Sequence, residues 1–399
     1  MLSIPLSLYI HLPWCVRKCP YCDFNSHALR DEVPERRYVD ALLADLALDA
    51  TLVEGRTIET IFFGGGTPSL FSPESIARLL NGVRARVPVS ADAEITLEAN
   101  PGTVELERFR GFRAAGVNRL SIGVQSFEEQ KLQALGRIHG RAEALKAAEA
   151  ARDAGFGNFN LDLMYGLPGQ TSEQAIDDVR AAIALDPTHL SVYQLTLEPN
   201  TLFYSQPPTL PDEQVIEVIQ QGLLERLACA GYQQYEVSAY AQQGAQCRHN
   251  RNYWEFGDYL GIGAGAHAKI TDRGAVMRLS KTRHPESYLA VAGTDKARVT
   301  SRTIPPDDLV FEFMLNALRL RAGFPAELFK QRTGLTLEQI EAPLGVAREK
   351  GLLENDGVHL RASERGWLFL NDLIALFLPD NSTTRVTRAN GDGRERLLT

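Results

Sequence analysis

Residues 14–22 read "WCVRKCPYC" and place Cys15, Cys19 and Cys22 in one eight-residue stretch. The rest of the 399-residue chain holds only Cys229 and Cys247. An odd number of cysteines, three of them bunched, does not suit a disulfide framework. Bunched free thiols suit soft metals and iron–sulfur clusters, and they point to a reducing, cytoplasmic setting. Structural zinc takes four ligands, usually as two separated pairs. Here Cys19 and Cys22 make one CxxC pair, Cys15 stands three intervening residues ahead, and Cys229 and Cys247 supply no second pair. The spacing favours an iron–sulfur cluster over zinc, since three thiolates can hold a cubane and leave one iron open to a small-molecule chelate. Arg17 and Lys18 are expected to favour thiolate over thiol.

The segments around the cysteines alternate between strand and helix. "LSLYIHL" from Leu6 leads into the cysteines, and the helical "ERRYVDALLADLALDA" follows them. "TIETIFFG", "AEITLEAN", "NRLSIGVQS", "NFNLDLMYG" and "HLSVYQLTL" repeat the pattern, each followed by a helical stretch. Ser72 and Pro73 read as the cap and first turn of one helix, and Gly116 as the stop of another. Six βα units of this kind predict an α/β fold, wound into a sheet or barrel with its chemistry at the C-terminal ends of the strands. The informative residues fall there. The cysteines follow strand one, "GGGTP" follows strand two, Glu98 ends strand three, Gln125 ends strand four and Asp162 lies in strand five.

The βα core is assigned to residues 1–230 and an irregular extension, glycine-rich at "YLGIGAGAHAKI", to 231–304. A mainly helical, winged-helix-like domain follows at 305–380, and a polar tail, expected to be disordered, at 381–399. A formal net charge of −8 with 44% hydrophobic and 23% charged residues describes a soluble globular chain that is not built to bind nucleic acid. The N-terminal "MLSIPLSLYIHLPW" lacks the basic start of a secretory signal, and no stretch approaches the roughly 18 apolar residues of a membrane span.

"CVRKCPYC" followed by "GGGTP" on alternating βα units resembles the radical S-adenosylmethionine superfamily, over residues from about Leu6 to Lys269. The resemblance implies a partial (β/α)6 barrel and a [4Fe-4S] cluster on Cys15, Cys19 and Cys22, whose open iron chelates S-adenosylmethionine, and the cofactor carries the difficult one-electron chemistry. It also implies roles for single residues. Gly65, Gly66 and Thr67 would meet the methionine end of the cofactor. Glu98, Gln125 and Asp162 would bind its polar groups, Arg137 would pair with its carboxylate, and Tyr9 and Tyr21 would lie near cluster and adenine.

Together these residues resemble the branch of oxygen-independent coproporphyrinogen III dehydrogenases, which also contains heme chaperones. Phe24 stands where the dehydrogenase pattern has a further cysteine, and only about eight residues precede Tyr9, where that enzyme carries an N-terminal extension. "HNRNYW" (249–254) matches the HNxxYW segment that the chaperones associate with heme. In that comparison His249, Asn250, Tyr253 and Trp254 form the heme segment, with Cys247 as a second ligand candidate. An imidazole is a good axial iron ligand, and the two aromatic rings suit a porphyrin face. The chain is therefore expected to bind heme and deliver it to an acceptor protein. It would use an electron donor and a peripheral membrane contact during delivery, with oxidative decarboxylation of coproporphyrinogen III as the alternative.

Overall fold

The strand signals resolve into a run of parallel neighbours. β1 (Leu6–Leu12), β2 (Ile58–Gly65), β3 (Val89–Ala99), β4 (Arg119–Gln125), β5 (Phe159–Tyr165) and β6 (His189–Gln194) pair in parallel in sequence order. The computed structural model describes residues 4–103, 106–356 and 358–379, so the tail expected at 381–399 lies outside the described residues. Each crossover carries a helix, including α1 (Glu35–Asp49), α2 (Pro73–Arg84), α3 (Leu106–Ala115), α4 (Arg141–Asp153) and α5 (Ser172–Ala184). α2 shows how sequence sets these elements. Ser72 accepts from the Ser75 N–H at 3.2 Å with Pro73 in the first turn. Ile76, Leu79, Leu80 and Val83 recur at helical spacing and are all buried. Each such side chain contributes about 1.5–3 kcal/mol of burial. Gly116 takes φ +110° just after α3, a conformation that favours glycine.

The region read as an irregular extension is ordered sheet. After α6 (Glu213–Cys229), β7 (Gln233–Gln234), β8 (Ala239–Ala241), β9 (Asp258–Ile262), β10 (His267–Asp272), β11 (Ala275–Lys281) and β12 (Arg298–Thr303) extend both edges. The spatial order is β12-β11-β10-β9-β1-β2-β3-β4-β5-β6-β8-β7, an open twelve-stranded sheet. β9 pairs in parallel with β1, Leu6 opposite Asp258, so a seventh parallel strand comes from far along the chain. β8 runs antiparallel to β6, and β10, β11 and β12 form an antiparallel meander. The sequence misled here because these strands are short or amphipathic and their glycines sit at crowded contacts. A Cβ on Gly261 would lie 1.8 Å from the His267 carbonyl oxygen.

A second core lies around Phe313, whose ring meets Phe256, Phe324 and Phe329 at centroid distances of 5.6, 5.1 and 5.1 Å. It belongs to the C-terminal helices and a three-stranded sheet (Phe324–Pro325, Leu353–Asn355, His359–Ala362), the pattern expected of a small winged-helix-like domain. Phe256 and Val276 join it from the sheet side, so this domain packs against the barrel.

Candidate functional site

β1 delivers the chain into the cysteine loop, and the end of β2 holds that loop down. The Gly66 N–H donates to Leu12 O at 2.8 Å and the Thr67 N–H to Trp14 O at 2.7 Å. A Cβ on Gly66 would lie 2.5 Å from the Trp14 oxygen, and one on Gly65, at φ +116°, 2.5 Å from the His11 ring. The glycines of "GGGTP" thus make room for the cysteine loop itself. Asn25 Nδ2 fastens the far side of the loop by donating to Ala264 O at 2.9 Å, beyond β9.

Cys15, Cys19 and Cys22 are free, half-buried thiols on the wall of one cavity of about 2020 Å³. Among the described residues no three His, Cys, Asp or Glu side chains converge on a point that would hold a single ion. A cubane places each thiolate on a different iron, so it needs thiols spread around a volume rather than meeting at one point. Burial raises the pKa of Cys15 and of Cys22. Arg17 and Lys18 do not reverse this, because Lys18 Nζ is turned to the Phe24 and Ser26 carbonyls at 3.1 and 3.3 Å. A further cation beside the thiols is Arg137, whose Nη1 lies 3.8 Å from Cys19 Sγ while Nη2 donates to Gly123 O at 2.7 Å. Its Nε is buried without a partner, an unused donor beside the cysteines.

The other strand-end residues face the same space. Gly65, Gly66, Thr67, Glu98, Gln125, Arg137, Asp162 and Tyr21 all line the cavity. Glu98 accepts from the Gly65 N–H at 3.2 Å. Burial, reinforced by Asp162, pushes its carboxyl up to about 8. Asp162 accepts from Ser121 Oγ at 3.1 Å and Asn160 Nδ2 at 2.8 Å, which meets the cost of an acid in an apolar strand. Burial raises the Asp162 pKa as well. Gln125 takes φ +70°, rare for a residue with a side chain, at a break in the β4–β5 register. Tyr9 is the exception. It stands off the cavity wall, its hydroxyl 3.0 Å from His11 Nδ1 and its ring stacked on Phe62.

The downstream segment forms α7 (Arg248–Trp254), which lies across the opposite, N-terminal ends of the strands. Glu94 of β3 caps it by accepting from the Arg248 and His249 N–H groups at 3.1 and 3.0 Å. The Cys247 thiol donates to the same carboxylate at 3.5 Å. His249 is 1% exposed. Its Nδ1 lies 2.8 Å from Thr60 Oγ1, which continues to Ser7 of β1, and its Nε2 lies 3.0 Å from the Tyr253 hydroxyl. Burial lowers its pKa to about 3 and pushes the Cys247 thiol up to about 12. In this arrangement His249 and Cys247, expected to face a ligand, stand behind the wall with their polar atoms bonded within the protein. Asn250, Tyr253 and Trp254 do line the cavity. One face of Trp254 is already covered by the Arg319 guanidinium, 4.3 Å from the ring centroid.

Sequence reasoning passed over Arg119, Ser121, Asn160, His189 and Ser191, which also line the cavity. The signal was present, since they precede Gln125, Asp162 and one another at the two-residue spacing of an inward strand face.

Residues 9–182 match the family model of the Radical SAM superfamily, and residues 304–369 match that of the HemN C-terminal domain. The heme chaperone HemW of Escherichia coli (strain K12) is 54% identical to this chain over 378 residues, covering 94% of this chain and 99% of that protein. HemW of Bacillus subtilis (strain 168) is 34% identical, covering 93% and 99%. The structure of coproporphyrinogen III oxidase (HemN) from Escherichia coli, a radical SAM enzyme, superposes with a TM-score of 0.81 at 26% identity, covering 94% of this chain and 90% of that one.

Proposed function

This chain belongs to the radical SAM superfamily, in the family of the HemW heme chaperones, and on that premise we propose that it binds heme and passes it to an acceptor protein. The observation that carries the reading is 54% identity to a heme chaperone across nearly the full length of both chains. Membership of the superfamily implies a [4Fe-4S] cluster and S-adenosylmethionine, which when bound supply one-electron cleavage of the cofactor's sulfonium. The residues fit such a group: three free thiols open on one cavity with the unpartnered Arg137 Nε beside Cys19.

On this reading Cys15, Cys19 and Cys22 hold the cluster. Arg137 faces the cofactor carboxylate, and Gly65, Gly66, Thr67, Glu98, Gln125, Asp162 and Tyr21 form the rest of its bed. Glu98, with its raised pKa, can hold a proton near neutral pH and so donate as well as accept at the cofactor. Heme occupies the lower part of the cavity, against Asn250, Tyr253 and Trp254. His249 would bind its iron once its hydrogen bond with the Tyr253 hydroxyl is released. Phe24 is 62% exposed at the cysteine loop and supplies no further thiol there.

The HemN superposition supports a second reading, oxidative decarboxylation of coproporphyrinogen III. One anaerobic experiment separates the two. Protein with a spectroscopically verified cluster is given coproporphyrinogen III, S-adenosylmethionine and reductant, and the same sample is then titrated with heme. The expected result is no protoporphyrinogen and stoichiometric heme binding that is lost to an added apo-acceptor. Protoporphyrinogen formation makes the chain a dehydrogenase.

A further inference from the structure

The cavity volume of about 2020 Å³ is about twice the ~1,000 Å³ at the upper end of single-ligand sites. A second ligand therefore has room beside a nucleoside cofactor. The inward face of β4 shows what such a ligand would meet. Arg119, Ser121, Gly123 and Gln125 alternate along it, all on the cavity wall. Gln125 and Gly123 stand at the cysteine end. Arg119 stands roughly 20 Å back along the strand, at about 3.3 Å per residue.

Arg119 is 2% exposed, and its side chain makes no hydrogen bond or ion pair with any described residue. Its Nε is enclosed without an acceptor. The acids around it, Glu94 and Asp162, are engaged elsewhere. Glu94 caps α7 and Asp162 accepts from Ser121 and Asn160. Cys247, Tyr235, His189 and His249 are its other ionisable neighbours. A buried charge is normally paired and hydrogen-bonded, so an unpaired guanidinium on a cavity wall calls for an anion from outside. Two carboxyl groups nearby disfavour a dianionic phosphate, whereas a single carboxylate matches the guanidinium fork.

We propose that Arg119 anchors a carboxylate of the tetrapyrrole that enters this cavity. This rests on the heme-binding reading above, on which the carboxylate is a heme propionate. The other carboxylate available, that of S-adenosylmethionine, belongs on that reading near Arg137, at the far end of the strand.

The test compares iron protoporphyrin IX with its dimethyl ester, titrated anaerobically into cluster-loaded protein and followed at the Soret band. Wild type is expected to bind the free acid at least about tenfold more tightly than the ester. Arg119→Met is expected to bring the acid down to the affinity of the ester while S-adenosylmethionine affinity stays unchanged, and Arg119→Lys to keep part of the preference. Without ligand, Arg119→Met is expected to melt no lower than wild type, because the guanidinium has no partner to lose. Equal affinity of wild type for acid and ester overturns the proposal and leaves heme binding standing, and this comparison needs no variant to fold. A preference that survives in Arg119→Met, or a loss of S-adenosylmethionine affinity in its place, also overturns it. Wild type that binds neither porphyrin overturns the heme-binding reading itself.

Discussion

The cysteine loop and α7 are both short motifs at an end of the same barrel, and they use their donor atoms in opposite ways. In the loop the sulfurs are almost idle: Cys22 Sγ lies 3.6 Å from Ser26 Oγ, and Cys19 Sγ accepts from Arg137 Nη1 at 3.8 Å. Backbone contacts through Gly66 and Thr67 hold the loop in place without them. In α7 the donors are the fold. His249 joins Thr60 to Tyr253, and Cys247 with the helix N–H groups closes on Glu94. Spacing in sequence tells which donors are near one another. Only the packing tells whether they are already bonded.

The largest expected effect follows from the idle side. Replacing Cys15, Cys19 and Cys22 together with alanine should abolish the visible absorption of the cluster and its iron and sulfide. The cluster-free fold should shift by no more than about 1 kcal/mol, since so little hydrogen bonding is lost. A cluster retained in that variant would refute the ligand assignment. A cluster-free form that no longer folds would show the thiols to be structural.

The bonded side predicts the reverse. His249→Ala removes a fully buried ring and strands the Thr60 and Tyr253 hydroxyls, so chemical denaturation of cluster-free protein should show a loss of about 3 kcal/mol. Heme binding should weaken or its Soret band shift in the same variant. A loss below about 1 kcal/mol would remove the contrast between the two motifs. An unchanged Soret band would move the axial ligand elsewhere.

Much of the barrel was legible because its signals are local. Parallel strands covered by helices are apolar over their length, and Ser72 caps α2 from within its own sequence neighbourhood. Glu98, Gln125 and Asp162 could be read as facing the cavity because polar residues stand out in and at the ends of apolar strands. What escaped depends on partners distant in sequence. β9 lies beside β1 through pairings such as Leu6 with Asp258, and Glu94 caps a helix that begins at Arg248. The ion pairs of Lys269 with Asp258 and of Lys281 with Asp45 and Asp49 bury charges that the sequence alone would have placed in water. Arg119 escaped for the same reason. A lone arginine at the start of a strand reads as a surface charge until the cavity on its other side is known.

Glu98 offers a smaller effect with a sign. Its folded carboxyl lies at about 8 against an ordinary 4.5, because of burial and then Asp162. Between those values the folded chain holds a proton that the unfolded chain has released, so wild-type stability should fall as pH rises through that window and level off above it. The cavity wets one side of this half-buried carboxyl, so the effect is set at about 1.4 kcal/mol, the worth of one pKa unit. Glu98→Gln should therefore gain stability relative to wild type at pH 8.5 and match it near pH 5, in cluster-free thermal melts. A difference that does not change with pH would mean that solvent in the cavity keeps the carboxyl ionised.

The finest test lies where the two motifs would have to exchange behaviour. If His249 is to bind iron, it must first become idle as the cysteines are, and the atom that prevents this is the Tyr253 hydroxyl, 3.0 Å from Nε2. Tyr253→Phe keeps the ring that packs edge-on against Tyr259 and removes only that bond. It should cost about 1 kcal/mol of stability in the ligand-free protein. Heme binding no longer has to break the bond, so affinity should rise about fivefold, the same free energy read from the other side. Weaker binding in Tyr253→Phe would make the hydroxyl a contact to the porphyrin instead of a latch on the histidine. Unchanged affinity, with His249→Ala also unchanged, would leave α7 as a purely structural plug. The heme would then have to find its iron ligand on another part of the cavity wall.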